Sequence, residues 1–114
     1  MKLKIGEEEL ELVYSFRSNV YFEQISGKNV DFNNLTANDL ITLFYSVVIA
    51  SLQKAKKPII TMLDFLDVID DNGGDHCLME FSNWYVETIR AQFEVLNSIE
   101  DDKKKKIPAK KKTA

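Results

Sequence analysis

The sequence predicts an α+β fold, mostly α: an N-terminal β-hairpin packed on a small bundle of about four helices, then a disordered basic C-terminal tail. Three observations predict it. Apolar and polar residues alternate near the N-terminus, the mark of half-buried strands. Apolar residues then recur every three or four positions in separate stretches bounded by turn and cap signals. From Lys103 onward, "KKKKIPAKKKTA" holds seven lysines and no acid.

Each element follows from its local pattern. Leu3 and Ile5 share a face, "GEEE" supplies a turn that takes in Glu7, Glu8 and Glu9, and Leu10, Leu12, Tyr14 and Phe16 share a face on the return. A hairpin is therefore expected over 2–14, and it needs an apolar surface to lie on. Spacings of four, Phe16 to Val20 and Tyr21 to Ile25, predict a helix over about 17–26, stopped by Gly27. "GKNVDFNN" reads as an irregular connection. Thr36 and Asp39 have capping-box spacing, although Asp is shorter than the usual Glu, and the helix they open runs over 37–54. Its stripe of Leu40, Phe44, Val47 and Ser51 is widened by Ile41, Val48 and Leu52, so it should be touched from more than one side. "KAKKP" ends it. Thr61 and Asp64 repeat the cap spacing before a short helix over 62–70, whose apolar residues are Met62, Phe65, Leu66 and Ile69. Asp75 is placed to cap the last helix, 76–100, with a stripe of Leu78, Phe81, Tyr85, Ile89, Phe93 and Leu96. That helix would be about 36 Å long. Residues 1–102 are expected to form a single compact domain, and 103–114 a disordered Lys-rich tail.

Charge narrows the function classes. Seven of the fifteen Lys and Arg residues follow Asp102, leaving eight bases against eighteen acids, a formal charge of −10, in the first 102 residues. An acidic body lacks the bases that neutralise phosphates, so nucleic acid is an unlikely partner except weakly through the tail, which reads first as a solvated end. The longest apolar run, "LITLFYSVVIASL", is short of the about 18 residues of a membrane span, so no membrane is expected. One cysteine excludes an internal disulfide, the N-terminus does not read as a signal peptide, and a cytoplasmic location follows as the expectation.

The densest chemistry lies in "DDNGGDHC", Asp70 to Cys77, which holds the sole histidine and the sole cysteine. Calcium would need oxygen ligands at loop positions one, three, five and twelve, with Gly at six. Putting Gly74 at six leaves Ile69 at one and Gly73 at five; putting Gly73 at six leaves Val68 at one and Met79 at twelve. Zinc needs several His or Cys ligands. Neighbours on a helix point about 100° apart, so His76 and Cys77 do not form a nucleophile–base pair. The segment reads instead as helix stop, turn and helix start. There is no phosphate-binding glycine loop and no nucleophile elbow. No catalytic residue, cofactor or metal is expected, and an enzyme would need a pocket that the sequence does not reveal. For partner binding the candidates are Asp64 and Asp67, on a helix face that is solvated or meets a basic surface, and the aromatics Trp84, Tyr85 and Phe93.

The order of hairpin, "YSFRSNVYFEQISGKNVDF", helices and lysine-rich end resembles the tail assembly chaperones of long-tailed bacteriophages and prophages. The carrying residues are Tyr14-Ser15-Phe16-Arg17, "YFEQISGK" (Tyr21 to Lys28) and Asp31, and the likeness runs loosely over residues 1 to about 100. It implies a non-catalytic protein of the bacterial cytoplasm that holds the tape measure protein, or another helical segment, until tail-tube subunits displace it. Self-association is also compatible with it. The resemblance further implies a longer form made by −1 frameshifting, for which the codons of Lys103–Lys106 or Lys110–Lys112 offer adenine-rich slippery sites. A reading from a different class remains beside it: a small bacterial adaptor or regulator whose basic tail touches nucleic acid.

Overall fold

The structure, a computed structural model, describes residues 1–31 and 34–106, and in the last helix the side chains up to Gln92 and that of Glu94. In chain order the elements are β1 (Lys2–Ile5), β2 (Glu8–Glu11), α1 (Phe16–Ser26), α2 (Ala37–Lys54), α3 (Met62–Asp71) and α4 (Asp75–Lys106). The mostly helical α+β class with an N-terminal hairpin is thus observed. Residues 1–84 form one unit, and the chain from Tyr85 onward forms a second.

β1 and β2 pair antiparallel, with Leu3 opposite Leu10 and Ile5 opposite Glu8. The turn is only Gly6 and Glu7. Gly6 has φ +64°, the positive value that a two-residue hairpin turn of the II′ kind requires at its first position. Glu8 and Glu9, expected in the turn, belong to β2, and the strand ends at Glu11 rather than running on towards Phe16. The reason is a change of partner. The Leu12 N–H still donates to the Met1 carbonyl at 2.8 Å, but the Val13 N–H donates to the Ser51 hydroxyl on α2 at 3.0 Å. A helix side chain has replaced the ladder. The outer edge of β1 is held in the same way. Lys4 N–H donates to Asn72 Oδ1 at 3.1 Å, and Asn72 Nδ2 donates to the Lys4 carbonyl at 2.8 Å. One side-chain amide thereby pairs with both backbone groups of a strand residue, as a neighbouring strand would. Leu3, Leu10 and Leu12 supply the buried face.

α1 corrects the expected stripe. Phe16 is 81% exposed and Ile25 is exposed, while Ser18 and Phe22 are the buried pair. Ser18 can enter the contact because its hydroxyl donates to the Ser15 carbonyl at 2.6 Å, leaving nothing unsatisfied. α1 runs antiparallel to α2: Tyr21 donates to Gln53 near one end, and Lys28 Nζ lies 2.7 Å from Asp39 Oδ2 near the other. Asp39 also completes the capping box despite its length, accepting from Thr36 N–H at 3.2 Å while its own N–H donates to Thr36 Oγ1 at 3.1 Å. The Lys28 ammonium, followed by the Thr36 backbone donor, holds the Asp39 carboxyl below its ordinary pKa.

α2 is the central helix of the first unit. Phe44 stacks on Phe81 of α4 at 4.2 Å and 5°, and meets Phe65 of α3 edge-on at 5.0 Å and 83°. All three rings are fully buried. Tyr45 leans on Phe65 and donates to the Ile60 carbonyl at 2.7 Å, fixing the chain just before α3.

α2 and α3 end in the same way. The Lys57 N–H returns to Leu52 and the Lys56 N–H to Gln53; the Gly74 N–H returns to Ile69 and the Gly73 N–H to Asp70. These are paired closing bonds around a left-handed residue, Gly73 (φ +110°) after α3 but Lys56 (φ +59°) after α2. α4 begins at Asp75 itself. Gly74 takes the cap position expected for Asp75, its carbonyl accepting from Leu78 N–H at 3.2 Å, and Asp75 sits in the first turn, where its charge suits the helix dipole. At the far end α4 passes the expected stop at Glu100 and takes in Lys103–Lys106. The sequence sets Glu100, Asp101 and Asp102 four positions ahead of Lys104, Lys105 and Lys106, a spacing and order that favour helix. The rest of the expected tail, 107–114, lies outside the described residues. Among the described residues no helix is long and apolar enough to cross a membrane.

Replacing Phe44 with Ala should cost about 3–5 kcal/mol, since it removes a buried ring shared by three helices; chemical denaturation measures this, and a loss below about 1 kcal/mol would show that the site collapses around the gap. Lys56→Gly should raise stability by about 1 kcal/mol by relieving a non-glycine residue of a left-handed conformation; an unchanged or lowered denaturation midpoint would show that the lysine is not strained.

Candidate functional site

The Asp70–Cys77 segment is built as a connector. Asn72 closes α3 and bonds to β1, Gly73 makes the left-handed turn, and α4 starts two residues later. His76 is exposed, with Nε2 3.9 Å from Glu80 Oε1 one turn along the helix. Cys77 is buried, and its thiol pKa is raised by that burial first and by the Glu80 charge second. A thiol held in its neutral form is a poor nucleophile. Among the described residues no three His, Cys, Asp or Glu side chains gather as metal ligands would. A cavity of about 370 Å³ lies between the hairpin and the α2–α3 connection, against Ile5, Leu10, Leu52, Lys56 and Ile60. The Lys57–Glu8 ion pair, 3.1 Å, sits at this cavity, and its lining offers no hydroxyl, thiol or imidazole.

The five partner-binding candidates fall in different settings. Asp64 and Asp67 are both exposed on α3. Trp84 is half-buried, its ring 5.9 Å from that of Phe81. Tyr85 is buried, 2% exposed, and the side chain of Phe93 lies outside the described residues. The structure therefore brings together the two aspartates and sets them beside residues that the sequence reading did not select. Leu63 is 76% exposed, and Leu66, expected among the core residues of α3, is exposed too. α3 instead buries Phe65, Val68 and Ile69. The signal was present: an aspartate follows each of the two leucines directly, and Phe65, Val68 and Ile69 already complete a three-and-four spacing without them. Asp70 and Asp71 continue the exposed face. It is an acidic surface that also carries two large aliphatic side chains, suited to contact rather than to chemistry.

Compared with protein-family models, curated proteins and solved structures, the chain matches none of them.

If the Asp70–Asp75 segment is purely a connector, stoichiometric calcium or zinc, or a chelator, should leave the melting temperature unchanged. A reproducible rise of several degrees with one equivalent of either metal would contradict this.

Proposed function

We propose that this protein is a non-catalytic binding protein for an amphipathic helical segment of a partner, and that it acts as a tail assembly chaperone for a phage or prophage tape measure protein. The observation that carries the reading is the exposure of large apolar side chains on helices, Leu63 and Leu66 on α3 and Met79 on α4, on a body rich in acids. A protein that keeps a long helical client soluble needs apolar surface to engage it and charge to keep the complex dispersed. The tail-chaperone resemblance of Tyr14–Arg17, Tyr21–Lys28 and Asp31 supports the choice of client. The Lys103–Lys106 run, on α4, favours the second reading, an adaptor that touches nucleic acid.

Salt separates the two. Co-expression with a candidate tape measure protein should give a complex that co-purifies and survives about 1 M salt, where charge contacts are screened. Failure to bind any segment of that protein would remove the chaperone reading. Binding only to nucleic acid, lost as salt rises, would favour the adaptor.

A further inference from the structure

We propose that the free edge of β2 takes an extended segment of a partner protein as a third strand, one in which basic residues alternate with apolar ones. The surface lies on the hairpin, and the inference does not rest on the helical client.

The register identifies the open groups. The Leu12 N–H donates to the Met1 carbonyl, so Met1 with Leu12, Leu3 with Leu10 and Ile5 with Glu8 are the hydrogen-bonded pairs. In an antiparallel ladder these alternate with pairs whose backbone groups point away from each other. Lys4 with Glu9 and Lys2 with Glu11 are of that second kind. Two contacts agree with this. Lys4 turns its N–H and carbonyl outward to Asn72. Val13, which follows Glu9 and Glu11 in the outward series, gives its N–H to Ser51. Glu9 and Glu11 have no such supplier: among the described residues no hydrogen bond reaches the backbone N–H or carbonyl of either. The edge therefore offers two donors and two acceptors at the spacing that an added strand engages.

The cavity of about 370 Å³ stands beside this edge, lined by Leu10 and Glu9 of β2 and by Leu52 and Ile60. Side chains of a strand alternate between faces. A residue added opposite Leu10 would place its side chain on the buried face, against this apolar lining. Residues opposite Glu9 and Glu11 would stand on the outer face beside those two carboxylates. Glu9 has no ion pair among the described residues. An apolar residue between two bases thus matches both faces. The lysines at the cavity, Lys56 and Lys57, lie on the side that the apolar residue enters, and Lys57 is already neutralised by Glu8 at 3.1 Å. On its other edge β2 holds a strand of the same pattern: Lys2, Leu3 and Lys4 stand opposite Glu11, Leu10 and Glu9. A second copy is the poorer occupant. β2 laid against another β2 sets glutamate against glutamate, and like charges directly opposite are destabilising.

The test uses the full-length protein and a fluorescently labelled, end-blocked peptide of seven residues that alternates lysine with valine, followed by anisotropy at about 0.15 M salt. The peptide should bind. The same peptide methylated on its backbone nitrogens keeps its side chains and charge but loses its donors, and should bind at least about tenfold more weakly. A peptide of equal composition with its lysines in one block should lose several-fold. On the protein, Glu9→Gln should lower the affinity several-fold. Glu9→Pro removes the outward N–H without touching a ladder bond, and should lower it about tenfold with the far-UV circular dichroism unchanged. Should Glu9→Pro fail to fold, the methylated peptide still decides. The proposal is overturned by no binding of the alternating peptide, or by equal binding of the methylated or blocked peptides, which would show general charge attraction only. It is also overturned by a dimer in sedimentation that Glu9→Pro dissociates, which would make a second copy the occupant.

Discussion

The stack of Phe44 on Phe81 is the contact on which the other arrangements in the first unit depend. Phe44 sits near the middle of α2, and its two faces of contact join α2 to α3 through Phe65 and to the opening turns of α4 through Phe81. A short chain has few large side chains to bury, and aromatic rings each remove 150 Å² or more from water, by rough measure, while preferring a small set of geometries. Burial supplies the energy, and the edge-on and stacked geometries supply the orientation. Once Phe65 is turned inward, the opposite side of α3 has to carry Leu63, Leu66 and the aspartates outward. The surface that gives this protein its candidate function is therefore a consequence of how the core is filled.

Backbone bookkeeping fixes the rest. A two-stranded hairpin has an open edge on each side, and here side chains close part of both. Asn72 serves Lys4 on one edge, and Ser51 serves Val13 where the other strand departs. Ser51 belongs to α2 and Asn72 caps α3, and Phe44 touches both helices, α2 directly and α3 through Phe65. The hairpin, the turn at Asp70–Cys77 and the aromatic core are in this sense one assembly. The turn's unusual composition, with histidine, cysteine, glycines and acids together, has a structural cause in each described case: Asn72 for the strand, Gly73 for the left-handed bend, Asp75 for the helix dipole, and Cys77 for the interior.

Much of this was legible in the chain. α2 is bounded as its cap and stripe indicate, because Thr36, Asp39 and a broad apolar arc all act locally and agree. The bounds of α3 were legible for the same reason, and so was the presence of the hairpin, though not its register, since Glu8 and Glu9 pair in β2 where a turn was expected. What escaped the pattern was tertiary. Ser18 enters the core because its hydroxyl turns back to its own helix, and a count of apolar residues cannot see that. β2 ends at Glu11 because Ser51, distant in sequence, takes the next donor. Lys56 adopts a left-handed conformation where a glycine would be sought. The exposed Leu66 was hidden by the assumption that a leucine in a helix faces inward, and Leu63 was not singled out at all. On α3 three other residues, Phe65, Val68 and Ile69, were sufficient to fill that role.

A binding role asks for a rigid scaffold and a surface left over from it, and the aromatic stack defines both. A double-mutant cycle tests that claim most directly, comparing Phe44→Leu, Phe81→Leu and the double variant by denaturant unfolding. Leucine keeps most of the volume and removes the ring geometry. The account predicts a coupling energy of about 1 kcal/mol between the two positions. Additive effects, with coupling under about 0.3 kcal/mol, would contradict it and show that the rings contribute volume alone and do not orient the helices.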